Sequence, residues 1–399
     1  MMYLSAGLIA TVAAVVAAEE FSDEPPTDIT TSLLELQFSE DHYAHEDKIE
    51  LIKTGILNLQ GIRYQQTSFS NGQATYSDVY GDFCAYDATI NKEDAMKYST
   101  VSEAMLASDH CGDHPYSLPL KEVVNAVKSY DSAIDRSNPE VAGLIFHTGH
   151  AGAEDVSDAI TTFPNTLVVS EHPAVLDSLA ACDTIRNRYE SDDCSPDLQK
   201  QLVSDVIMLS TRSANASLDK AYLRLNPLST PYISMAREVV PEAPWVFHYN
   251  DPKTTLAKIT EPRKNYCVYT NRQPSQKQAK KAEDYNLDLD GMSDEDLCAL
   301  YLSTLLDAAT EEHESTDTGL LVDYAELTAE FILTKELSYL GLQSEIDADS
   351  VAVSSTVTEE VKKHPRVTEP TENSQKVINA EKLFLSESKN KITEATRRQ

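Results

Sequence analysis

The residues with the most chemistry in them stand at the ends of short apolar runs. His147, Thr148, Gly149, His150, Ala151 and Gly152 follow AGLIF, with Glu154 and Asp155 close behind. Glu171 and His172 follow NTLVVS, Arg212 and Ser213 end VIMLSTRS, and Asn250, Asp251 and Lys258 come after APWVFHY. A strand, a loop with two glycines and a helix start together present backbone N–H groups and a positive dipole end to a phosphate or sulfate. The loop is not a Walker A loop, because the closing Lys-Ser/Thr pair is absent. Burial can raise a carboxylate such as Glu171 toward the working pH, and an imidazole such as His147 or His172 starts near it, so each is a candidate proton acceptor. His147, His150, His172 and His248, with Glu154, Asp155, Glu171 and Asp251, are also ligand types for zinc or a hard ion. Their spacing matches no zinc signature, so a metal-assisted hydrolase is the lesser alternative and no metal ligand is assigned.

Open parallel sheets bind ligands at the carboxyl ends of their strands, so these runs must be strands if the residues are to meet. AGLIFHTGHAG, NTLVVSEHPAVLDSLA, LVSDVIMLSTRS, APWVFHYNDP and TGLLVDYAEL are apolar on both faces, the pattern of buried parallel strands, and helical stretches separate them. GMSDEDLCALYLSTLLDAAT predicts a helix capped by Ser293 with one buried stripe. The expected fold class is therefore α/β, a three-layer α/β/α domain with a mostly parallel central sheet over 139–344. Ahead of it, 19–138 predicts a mixed extension: a helix in DHYAHEDKIELIKTGILNL, a hairpin around Asn71-Gly72, and a helix from Ser117 to about Ile134 with Ser117 as cap and Pro119 in its first turn. Residues 345–399 are polar and predict a flexible tail with a short helix around Ala380 to Leu385.

In block order, IFHTGHAG, VVSEHP, VIMLSTRS, PWVFHYNDP and LVDYAEL resemble the P-loop sulfotransferase family, in particular a divergent branch whose first strand ends F-H-x-x-x-x-G-S-T-L. The resemblance covers roughly residues 140 to 330. It implies transfer of a sulfuryl group from 3′-phosphoadenylyl sulfate to a hydroxyl or amine of a small-molecule or carbohydrate acceptor. It places the donor on Thr148, Gly149, His150, Ala151 and Gly152 and the acceptor's proton on Glu171, with His172 and His147 as runners-up. The family's G-S-T-L reads Gly152-Ala153-Glu154-Asp155 here. A carboxylate about 4 Å from a donor phosphate costs on the order of 4 kcal/mol at an effective dielectric of 20, against about 1 kcal/mol from a helix dipole. The family's R-D/N-P reads Asn250-Asp251-Pro252, and the Ser eight positions on becomes Lys258, so Lys258, Arg212 and Ser213 are the replacement contacts for the 3′-phosphate. These departures define the competing reading, a catalytically inactive scaffold serving in binding or regulation.

The chain carries 33 basic and 65 acidic side chains, a formal net charge of −32, which argues against nucleic acid as a partner. Residues 1–18, ending in LSAGLIATVAAVVAA, predict a signal peptide, and no later stretch predicts a membrane span, so the expected location is the secretory pathway, lumenal or secreted. Six cysteines suit an oxidising compartment and permit about 15 pairings. Cys182 and Cys194 flank a polar loop and form the easiest local pair. The single sequon, Asn215-Ala216-Ser217, follows what reads as the third strand, close to the ligand face, which argues against its use.

Overall fold

The computed structural model describes residues 45–64, 79–86, 100–108, 110–111, 115–189, 194–259, 276–285, 287–289, 292–342 and 386–399. Residues 1–18, expected to be a signal peptide, Asn71-Gly72, expected to turn a hairpin, and the stretch from Ala380 to Leu385, expected to be helical, lie outside them. The described part opens with α1 (His45–Thr54), β1 (Asn58–Tyr64), β2 (Val79–Cys84), α2 (Val101–Ala107), β3 (Tyr116–Pro119) and α3 (Leu120–Ile134). There follow β4 (Glu140–His147), α4 (Ala153–Thr161), β5 (Thr166–Ser170), α5 (Pro173–Leu179), α6 (Ala181–Tyr189), α7 (Pro196–Ser210) and β6 (Lys220–Arg224). A 3₁₀ turn (Pro227–Tyr232), α8 (Ile233–Val239), β7 (Trp245–Tyr249), α9 (Pro252–Ile259), α10 (Gln276–Asp284), α11 (Asp294–Thr316) and β8 (Leu320–Asp323) complete the sheet. The last elements are α12 (Ala329–Phe331), a π-helical turn (Ile332–Glu336), α13 (Leu337–Tyr339) and α14 (Ser386–Arg397).

Five strands form one sheet in the order β5-β6-β4-β7-β8, every pair parallel. Leu144 and Phe146 of β4 join one core with α7 and α11, while Ile145 joins a second with α4 and the segment after β8. Both faces are covered, which is why the strands read as unbroken apolar runs, and the result is a three-layer α/β/α arrangement around a parallel sheet. Ser293 caps α11 as its spacing predicts, its hydroxyl accepting from the Asp296 amide. A separate antiparallel sheet, β1-β2-β3, packs with α1 and α3 into the same core as Leu144 and Trp245. Among the described residues no helix is long and apolar enough to cross a membrane. Disulfides join Cys84 to Cys111 and Cys182 to Cys194, and Cys298 is disulfide-bonded as well. Closing a loop of the Cys182–Cys194 size is worth about 3 kcal/mol in chain entropy.

Several elements differ from the sequence pattern: the end of the polar tail is an ordered helix, α14, whose Ile392 and Ala395 enter the main core, and the first helix stops at Thr54, its expected last residues passing into β1. Ser117 is not a helix cap: it pairs with Asp82 in β3, and α3 starts at Leu120 with Pro119 as its N-cap residue. The larger difference concerns VIMLSTRS, which is not the third strand but the end of α7. Ser195 caps that helix by accepting from the Leu198 amide, Pro196 occupies its first turn, and Leu202, Val203, Val206 and Leu209 are buried at helical spacing. From Asp205 to Ser210 every residue is buried except half-buried Met208, and so short a window without a polar face cannot be told from a buried strand. The third strand is KAYLR, paired with β4 and β5. The segment after α7 therefore runs to the amino edge of the sheet and carries Arg212 and Ser213 there.

Candidate active site

After β4 the chain crosses to β5 beyond β6; after β6 it returns past β4 to β7. Connections leaving β4 and β6 thus diverge, and the crevice between their carboxyl ends is where such sheets place ligands. The loop after β4 turns through Gly149 and Gly152, at φ 83 and 81, and through His150 at φ 51. Gly152 opens α4, and a Cβ there would lie 2.3 Å from a Leu327 methyl and 2.9 Å from the Tyr324 ring, so neither the conformation nor the space admits a side chain. The loop is braced at several points. The Thr148 amide donates to the His248 carbonyl at 3.0 Å, the Gly149 amide to His147 Nδ1 at 3.1 Å, and the Asn250 side-chain amide to the His150 carbonyl at 3.1 Å. Ala151 is buried, and Asp155 in the first turn of α4 is only 3% exposed.

Across the crevice, β5 ends at Ser170 and Glu171 follows at φ 51. A left-handed backbone costs a non-glycine residue of order 1 kcal/mol or more and persists only where surrounding bonds hold it. Here the Glu171 amide donates to the Arg224 carbonyl at 2.6 Å. Its Oε1 lies 3.5 Å from both His147 Nε2 and an Arg224 guanidinium nitrogen, and its Oε2 accepts from the Asn226 amide at 3.2 Å. Burial opposes ionisation of Glu171, but the neighbouring His147, the Arg224 charge and the Asn226 amide together outweigh it and hold the carboxyl below its ordinary pKa. His147 is pushed below its ordinary value chiefly by burial, with Arg224 and His248 adding to the effect and Glu171 opposing it. Because Nδ1 accepts the Gly149 N–H, the neutral ring carries its proton on Nε2, aimed at Glu171. Beside this cluster His248, in register with His147, meets Glu336 at 2.6 Å, both wholly buried.

The structure thus brings His147, Thr148, Gly149, His150, Ala151, Gly152, Glu171 and Asn250 to one edge. His172 is turned away. Its Nδ1 accepts from the Ala174 amide at 3.1 Å and so caps α5, while Nε2 faces the Leu59 carbonyl at 2.9 Å and the Tyr86 hydroxyl at 3.3 Å. Burial takes its pKa down to about 4. Arg212 and Ser213 are a correction: they do not reach the carboxyl edge. Arg212 is spent on Asp131, at 2.7 and 2.8 Å, on Asn138 and on carbonyls of Ile52 and Lys53, because α7 ends where α1 and α3 meet. Lys258 lies near the end of α9. Asp251 accepts from the Thr254 amide and pairs with Lys389 of α14. The four histidines do not converge, and among the described residues no group of three or more His, Cys, Asp and Glu is placed to hold a metal. Sequence reasoning missed Arg224, Asn226 and Glu336. The first two follow a recognisable signal, AYLRLNP, in which Asn226 caps the turn that Pro227 starts.

No protein family matches the chain, and no curated protein does. Among solved structures, the sulfotransferase STF9 from Mycobacterium avium is similar with a TM-score of 0.39 at 10% identity, over 69% of this chain and 81% of that one. A likeness of that depth decides neither family nor activity.

Proposed function

We propose that the protein is a sulfotransferase-like enzyme of the secretory pathway, transferring a sulfuryl group to a hydroxyl or amine acceptor, with Glu171 taking the acceptor's proton. The observation that carries this reading is the backbone of Glu171: a carboxylate in a left-handed conformation at the crevice, ionised at neutral pH and held by His147, Arg224 and Asn226. Of the positive-φ non-glycines among the described residues, Asp135 and Asp317 end helices, and Asn165 and His150 are of types that adopt the conformation readily; Glu171 remains, at the crevice. The Gly149–Gly152 loop leads into the start of α4, where a helix end favours an anion, but Glu154 and Asp155 occupy that first turn and the Thr148 and Gly149 amides are already engaged, so the sulfated end of 3′-phosphoadenylyl sulfate is opposed there. The far end fits no better, since Arg212 is committed to Asp131 and the Asn250 amide to the His150 carbonyl. No chemical step is therefore assigned through the donor, and those two commitments favour a second reading, a scaffold that binds without catalysing.

Calorimetric titration with 3′-phosphoadenylyl sulfate and with adenosine 3′,5′-bisphosphate separates the two readings. The enzyme reading expects saturable donor binding, donor-dependent sulfation of an acceptor panel, and a fall of about 10² to 10⁴ in turnover for Glu171→Gln. No heat at millimolar donor would leave the scaffold.

A further inference from the structure

The sequon lies elsewhere than its sequence context suggests. Asn215-Ala216-Ser217 follows a helix, not a strand, and leads into the start of β6. The amides of Asp219 and Lys220 donate to the Asn165 carbonyl and the Glu140 amide to the Asp219 carbonyl, which ties this segment to the amino edge of the sheet. Five residues of β6, at about 3.3 Å each, put roughly 16 Å between the segment and the crevice. A bulky group here would leave the candidate site open.

The segment is also presented outward in a fixed conformation. Arg212 and Ser213 are buried, and Arg136 donates to the Ser213 carbonyl. Gly55 packs so closely that a Cβ would come within 2.6 Å of the Ser213 carbonyl carbon and 2.7 Å of the Ala214 nitrogen. From that anchor the chain emerges, and residues 214–217 are exposed. The Asn215 carboxamide oxygen accepts from the Ser217 amide at 3.0 Å and the Ser217 hydroxyl at 2.7 Å, an Asx turn. Both bonds fall on the oxygen, and none of the described hydrogen bonds uses the carboxamide nitrogen. The disulfides Cys84–Cys111 and Cys182–Cys194 belong to an oxidising compartment, the kind in which N-linked sugars are attached.

We infer that Asn215 is an N-glycosylation site that takes an oligosaccharide from a lipid-diphosphate-linked donor. The Asn215 side-chain nitrogen forms the bond to the anomeric carbon, the bond from that carbon to the diphosphate oxygen breaks, the lipid diphosphate leaves, and the amide proton passes to a base of the transferring enzyme. The inference stands apart from the sulfuryl-transfer reading. To test it, the full chain is secreted from cultured eukaryotic cells and digested with peptide-N-glycosidase. The expected result is a downward mobility shift with Asn215 converted to Asp in the peptide spectrum, lost in Asn215→Gln and Ser217→Ala and kept in Ser217→Thr. A non-reducing peptide map showing both disulfides confirms that each variant has folded. A secreted, disulfide-bonded wild type with unmodified Asn215 overturns the proposal and leaves the turn a structural device only. So does an unmodified chain held in the cytosol with reduced cysteines.

Discussion

His172 makes the fold sensitive to acid in a way that can be separated from every other titrating group. In the native state its Nδ1 accepts the Ala174 N–H and its Nε2 faces the Leu59 carbonyl, which a neutral imidazole satisfies completely with its proton on Nε2. A second proton on Nδ1 would set donor against donor, break the cap of α5 and place a charge in a site only 3% exposed. The folded pKa is accordingly down at about 4 against an ordinary 6.5. Since the unfolded chain binds this proton at higher pH than the native one, stability is unaffected above pH 6.5 and falls as pH drops through 6.5 toward 4. At about 1.4 kcal/mol per pH unit the loss is about 2 kcal/mol at pH 5 and about 3 kcal/mol at pH 4. Urea unfolding of wild type and His172→Asn at pH 7, 6, 5 and 4 measures it. Asparagine can still cap α5 and does not titrate, so the variant's stability should fall by about 3 kcal/mol less over that range, whatever its starting value. Parallel pH curves for the two proteins, or an imidazole resonance of His172 titrating near pH 6, would refute the reasoning.

Three further outcomes follow from buried contacts. Glu336→Ala strands His248 in a dry site and should cost about 3 to 5 kcal/mol in urea unfolding, most of it regained when Glu336→Leu is combined with His248→Phe; a loss under about 1 kcal/mol would contradict the pairing. Arg212→Lys loses the two-pronged contact with Asp131 and should destabilise by about 2 to 4 kcal/mol while leaving donor affinity unchanged, and a selective loss of donor binding would return Arg212 to the site. Gly152→Ala must both adopt a left-handed backbone and displace Leu327, so thermal unfolding should show a cost of about 1 to 3 kcal/mol.

The path from sequence to fold is uneven along the chain for physical reasons. IFHTGHAG reads correctly as strand, glycine turn and helix start because the turn needs residues that few other sequences supply. VIMLSTRS misleads because its window lies beyond the exposed Gln201 and Ser204 and holds residues that are all buried except half-buried Met208, although Ser195-Pro196 marks the beginning of the helix. That one exchange displaced Arg212 and Ser213 to the wrong edge and hid Arg224 and Asn226. Glu171 and His147 were legible as strand-end residues, but their mutual contact depends on which strands neighbour one another. Glu336 gave no signal, since a carboxylate in ILTKELSYL looks like any solvated helix residue until the π-helical turn points it at His248.

Arg212 also decides what can exist alone. Its guanidinium holds the carbonyl end of α1 and the side chains of Asp131 and Asn138 to the close of α7, and the apolar residues of β1, β2 and α3 share one interior with β4 and β7. Severed near residue 138, either piece would present a raw hydrophobic wall and a stranded charge. The two are obligate companions, and the leading piece is less an appendage than the outer half of the body that the parallel strands begin.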